Sequence, residues 1–329
     1  MTKEEVDIQA IADKLGKSLA QVIQNAQNPD LSKSASKPFQ KQQAEAERCG
    51  LLVSRPKSKV DAKKPLVGFK TYTFIDQLFL NEKDEALGGI PIVGQLGLTG
   101  LAGCGKSILI QEIALRVANE GRKVVLVTSE DVWNSPSPRN DLQSRMKQKA
   151  EIMNLDWETI RNNLFILDAI QNSTLRDWST FVETFRYLVE ILKGTDLLII
   201  DSITLMQAYR GSLKYRIMEM SRYCQLHGIT AIYVCQRAED EADKLNVAGG
   251  IGLSHNLDIM MCVDKKKAVS QLKFDLNQAR PKDEQLKQWT ECHFTRVMAC
   301  RLCSHDARYK EIFITKDGFL KLVQHNQKL

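Results

Sequence analysis

No apolar run approaches the roughly 20 residues that a membrane-spanning helix requires, and the start, Met1-Thr2-Lys3-Glu4-Glu5, carries no signal-peptide pattern. Both absences lead to the expectation of a cytoplasmic protein with no membrane partner. A large excess of one charge is missing too, since 46 Lys and Arg against 40 Asp and Glu leave a net charge of +6. That balance permits contact with a polyanion but falls short of a nucleic-acid footprint. Nor is there a long internal repeat in the 329 residues, so the chain carries one working unit, sized for one large core and a modest appendage. The eight cysteines come without a secretory signal and read as reduced thiols rather than a disulfide framework. With 43% hydrophobic and 26% charged residues the chain is neither disordered nor fibrous.

The pattern changes near residue 65. Before it, Gln, Lys, Ser and Ala dominate, and apolar periodicity is confined to Ile8-Ile11-Ala12-Leu15 and Leu19-Val22-Ile23. These predict two short amphipathic helices broken at Gly16, a hairpin over 1–27. It reads as a docking or structural hairpin, or as the first half of a helix-turn-helix. Residues 28–65 form a polar linker with a basic end at Arg55, Lys57, Lys59, Lys63 and Lys64. From 66 to 323, before a short tail over 324–329, short β-type runs alternate with amphipathic stretches, the mark of βαβ units and a mostly parallel sheet. The expected strands are 94–99, 123–128, 164–168, 196–201, 229–235 and 257–263; the expected helices are 106–120, 140–152, 174–193 and 211–227. Beyond 270 the pattern becomes a β-hairpin, with segments at 271–278, 292–301 and 309–315 and a turn at Lys316-Asp317-Gly318.

Gly100-Leu101-Ala102-Gly103-Cys104-Gly105-Lys106-Ser107 fits G-x-x-x-x-G-K-[ST], between an apolar strand and a helix. Its glycines let successive N–H groups curl inward around the β-phosphate of ATP, beside the positive end of a helix dipole. Lys106 is placed to reach the β- and γ-phosphates, and Ser107 to offer a hydroxyl to Mg²⁺. A second strand, Asp196 to Asp201, ends in a carboxylate that can hold a Mg²⁺-bound water. A third ends at Ser129-Glu130-Asp131, where Glu130 is the candidate catalytic base. A fourth, Ile229 to Cys235, is followed by Gln236, an uncharged group able to sense the γ-phosphate.

With these elements in order, residues 66–323 resemble the RecA superfamily and, within it, the group around KaiC and the RadA-like proteins. The local marks are Gly88-Gly89-Ile90-Pro91, Gly100 to Ser107, Ser129-Glu130-Asp131, Leu142 to Asp168 and Asp201-Ser202-Ile203-Thr204. The resemblance implies an α/β fold, a three-layer αβα core around a mostly parallel twisted sheet, closed by a C-terminal β-hairpin. It also implies ATP bound between neighbouring copies in a ring or filament, Glu130 activating water, and Gln236 opening a loop through Arg237 to Leu253 that couples nucleotide state to DNA. By the same likeness Arg301, four residues before His305, acts in trans on a neighbour's γ-phosphate, although the lysine usual two positions earlier is Ala299 here.

The function expected on these grounds is a Mg²⁺-dependent ATPase, homo-oligomeric, acting on DNA in recombination, repair or replication, with single-stranded DNA favoured. Lys265-Lys266-Lys267, Arg210, Lys214 and Arg216 contribute basic charge. The alternative is a regulatory or assembly ATPase whose partner is a protein, held through the N-terminal hairpin. Cys292, His293, Cys300, Cys303 and His305 are free thiols and ordinary imidazoles, or else ligands to zinc, though the second CxxC of a zinc ribbon is absent.

Overall fold

In a computed structural model of the chain, the structure describes residues 65–137, 141–171, 188–203, 213–236, 255–267 and 291–323. The N-terminal hairpin, the linker, the 271–278 segment, most of the helix expected at 174–193 and the loop after Gln236 lie outside the described residues. The elements run in chain order β1 (Gly68–Phe69), a 3-10 turn at Phe74–Gln77, β2 (Phe79–Leu80), β3 (Ile90–Pro91), β4 (Gln95–Gly100) and α1 (Lys106–Asn119). There follow β5 (Val124–Thr128), α2 (Leu142–Ile152), α3 (Trp157–Asn163), β6 (Leu164–Asp168), β7 (Leu197–Asp201), α4 (Leu213–Leu226), β8 (Thr230–Gln236) and β9 (Ile259–Lys267). The last are β10 (Glu291–Cys300), β11 (Ser304–His305), β12 (Lys310–Ile314) and β13 (Leu320–Leu322).

Nine strands form one sheet in the order β13-β12-β10-β9-β4-β8-β7-β5-β6. The six strands from β9 to β6 in that order pair parallel, whereas β10, β12 and β13 add an antiparallel edge. The central strands β5, β7 and β8 are almost wholly buried because both faces are covered, whereas edge strand β6 leaves Phe165 exposed. On β5, Val124 and Leu126 join one buried cluster with Leu109, Ile113, Met146 and Ile160 of α1, α2 and α3. Val125 and Val127, pointing the other way, join a second with Ile217, Met220 and Cys224 of α4. The same alternation runs through β7 and β8, so the period of two divides each strand between two cores.

Helix starts follow local chemistry. Asp141 accepts from the Ser144 amide at 3.0 Å and caps α2, and Asp156 accepts from Glu158 and Thr159 amides, at 3.2 Å each, to cap α3. Helix α1 has no such side-chain cap, because its N-cap is Gly105.

The expected parallel strands and the α1, α2 and α4 helices lie within two residues of their observed limits, apart from the end of β9. That strand runs on to Lys267 because Lys265, Lys266 and Lys267 pair with His293, Cys292 and Glu291 of β10. The whole lysine run is therefore sheet ladder. Helix α3 was not separated from its surroundings by sequence, since seven residues are too short for a helical period to stand out.

Candidate functional site

Strand β4 ends at Gly100, which pairs with Gln236 at the end of β8. At Gly100 φ is 152° and a Cβ would sit 1.9 Å from the Val263 carbonyl oxygen, so no other residue lets β4 leave the sheet here. The loop that follows is tied to β9. Cys104 Sγ donates to Val263 O at 2.7 Å, and the Leu101 amide donates to Asp264 Oδ1 at 3.3 Å. Inside it, buried Lys106 donates from Nζ to Gly100 O at 2.8 Å and Leu101 O at 2.7 Å. Gly105, at φ 101°, then opens α1 without a capping side chain, so the first amides of α1 and its dipole meet the loop.

Gly105 and Lys106 line a cavity of about 210 Å³ together with Ala102, Gly103, Ser107, Glu130, Asp201 and Gln236. An uncapped helix end, a backbone-lined loop and a lysine form the donor set that a polyphosphate needs. The acid side of the cavity suits a hard divalent cation: Ser107 Oγ donates to Asp201, whose carboxyl is buried at the end of β7. Burial pushes Asp201 up to about 6, and the negative charges of Glu130 and Asp131 add to this, while the Ser107 hydroxyl and Lys106 oppose it.

The two acids after β5 take different positions. Glu130 is exposed and accepts from Gln236 Nε2 at 2.8 Å, whereas Asp131 turns to Arg145 of α2 at 2.6 Å. Ser129 joins the strand ends beneath them, its amide donating to Asp201 O at 2.8 Å and its Oγ accepting from the Ser202 amide at 3.2 Å. Arg301 stands apart. It lies in the turn between β10 and β11 with its side chain exposed, and it does not line the cavity. Its amide donates to Asp258 O at 2.9 Å and its Nη1 to His255 O at 3.0 Å.

Sequence reasoning missed Asp264, which is fully buried and holds the Leu101 amide. The available signal was a carboxylate ending the apolar run Ile259 to Val263. It also missed Arg145 as the partner of Asp131, a contact between residues 14 positions apart with no motif to mark it. Among the described residues no group of three His, Cys, Asp or Glu side chains could hold a metal ion, and no helix is long and apolar enough to cross a membrane.

Comparison with known proteins places this site in context. No curated protein matches the sequence. Among solved structures, a KaiC-like protein from the hyperthermophilic archaeon Pyrococcus horikoshii superposes with a TM-score of 0.54 at 17% identity, covering 79% of this chain and 100% of that one. At that identity the likeness speaks for the fold. The family model of the KaiC ATPase matches residues 73–326, a span that contains β4, α1, β5, β7 and β8 with every group that lines the cavity. The chain therefore belongs to the KaiC family of RecA-like, ATP-binding P-loop ATPases.

Proposed function

We propose that this chain hydrolyses ATP with Mg²⁺ in a homo-oligomer, each site being completed by a neighbouring copy, and that single-stranded DNA is the effector. The observation that carries the hydrolytic reading is the 2.8 Å contact between Gln236 and Glu130 across the cavity from Lys106, Ser107 and Asp201. Gly100, Leu101, Ala102, Gly103, Cys104 and Gly105 present backbone to the phosphates, and Lys106 supplies a positive charge beside them. Ser107 and Asp201 are the residues that would hold Mg²⁺, which when bound offsets charge on the phosphate oxygens. Glu130 orients the attacking water and takes its proton. Gln236 fixes the Glu130 carboxylate from the end of β8, so a change at either side chain reaches the other through one hydrogen bond. Arg301, exposed and outside its own cavity with its Nη1 donating to His255 O, would act on a neighbour's γ-phosphate.

The DNA effector rests on basic surface charge. Lys214 is exposed, but Arg216, counted with it among the basic residues, is buried in α4 and adds nothing to a polyanion-binding surface. This favours keeping a protein partner as the competing effector. One experiment addresses enzyme, site and effector together: ATP turnover with and without single-stranded DNA, for the parent and for Lys106→Ala. The proposal expects turnover in the parent, stimulation by DNA that fades as salt is raised, and neither in the variant. Turnover indifferent to DNA would transfer the effector role to a protein.

A further inference from the structure

Two thiols at the end of β10 have no part in the ATPase reading. Cys300 Sγ and Cys303 Sγ lie 3.6 Å apart, both free and both partly exposed. A tetrahedral zinc site needs further ligands, and among the described residues no third metal-binding side chain joins them. Two sulfurs are, however, all that a disulfide needs, and closing the gap to roughly 2.05 Å is a small adjustment within a turn. The ends of that turn are fixed by the sheets. Cys300 pairs with Ile259 in β9, and Ser304, next to Cys303, pairs with Leu80 in β2. Between the thiols sits Arg301.

We propose that Cys300 and Cys303 form a thiol–disulfide exchange site for low-molecular-weight disulfides, and that closing it fixes the turn which offers Arg301 to a neighbouring copy. The second half rests on the proposed trans role of Arg301; the first half stands without it. The two thiols are unequal. The Cys303 S–H donating to Cys300, with the Leu302 and Cys303 amides, holds Cys300 down to about 6, and the same contact drives Cys303 up. Burial and, less strongly, Asp258 act against the first shift. Cys300 is therefore the attacking sulfur. Its thiolate attacks one sulfur of glutathione disulfide, the S–S bond breaks, and one glutathione leaves as thiolate, which takes up a proton. Cys303 then loses its proton and attacks the Cys300 sulfur, expelling the second glutathione. In sum, two protein thiols give up two electrons and two protons, and one glutathione disulfide becomes two glutathiones. Four other cysteines are shielded: Cys104, Cys224, Cys235 and Cys262 are buried, and burial pushes Cys224 and Cys235 up to about 12.

The test treats the full chain with glutathione disulfide near neutral pH, followed by peptide mapping of the cross-link and assay of ATP turnover. The proposal expects a Cys300–Cys303 link, a several-fold fall in turnover that dithiothreitol reverses, and a persistent glutathione adduct on Cys300 in Cys303→Ser. The double variant, Cys300→Ser with Cys303→Ser, is expected to keep its turnover through the same treatment. A stable adduct on the parent without a link, or no reaction at Cys300, overturns the exchange site. A link that leaves turnover unchanged overturns its coupling to Arg301. Should the reduced parent show no turnover at all, the ATPase proposal and the coupling with it fail, while the mapped link still decides the exchange chemistry.

Discussion

Asp201 is a carboxylate held where ionisation is disfavoured, and this sets function against stability at one side chain. Because its pKa is raised to about 6, the fold favours the protonated form. That contribution is fully present below about pH 4 and is lost as pH rises through about 6. At neutral pH the ionised group therefore opposes folding by about 3 kcal/mol, at about 1.4 kcal/mol per pKa unit. Asp201→Asn, melted without divalent cation, is expected to raise the Tm by several degrees at about pH 8 and to leave it unchanged near pH 4. The same variant should lose at least about 10²-fold in Mg²⁺-dependent turnover. For Glu130→Gln the expectation is a loss of about 10²–10⁴ in turnover with ATP affinity retained, checked by single-turnover kinetics beside equilibrium binding. At this scale the sequence was legible where a motif names a position, as for Lys106 and Ser107. It could only rank Glu130 above Asp131, because the feature separating them, an ion pair with Arg145, depends on where α2 packs.

Among the elements, the junction of β4 and the phosphate loop leaves the least room. Gly100→Ala would drive a Cβ into the Val263 carbonyl, so β4 and β9 cannot keep their spacing. The expected result is a loss of more than about 3 kcal/mol in urea melts, or no folded protein at all. A milder change is Asp141→Ala, which removes the cap of α2 and should cost about 1 kcal/mol. ATP affinity should not follow, since Asp141 does not line the cavity. The Ser144 hydroxyl and amide lower the Asp141 pKa, so this capping stability is present at neutral pH and is lost as pH falls through that lowered value. Strands β5 and β7 could be read from sequence because burial on two faces writes them as nearly unbroken apolar runs. The short β1, β2, β3, β11 and β13, of two or three residues, could not, since alternation needs more residues than they have.

For the whole molecule, the proposed trans role of Arg301 can be tested by mixing two inactive proteins. Lys106→Ala disables a chain's own cavity, whereas Arg301→Ala disables only what it lends to its neighbour. In a heterologous ring or filament, equal mixing should restore roughly a quarter of the parent turnover. Mixed proteins that stay as inactive as each alone would remove Arg301 from the site.

The four strands that carry this chemistry, β4, β8, β7 and β5, are consecutive neighbours in the sheet and point the same way. Gly100, Gln236 and Asp201 are thus set out along a ruler whose divisions are the strand spacing, about 4.8 Å, with Glu130 two residues past the end of β5. Sliding one strand by a single residue would move its group about 3.3 Å and turn the side chain to the opposite face. On the proposed role of Glu130, turnover is then also a gauge of sheet register: a core substitution that shifts β8 without unfolding it should break the Gln236–Glu130 contact and lower turnover before any loss of helix or strand can be detected.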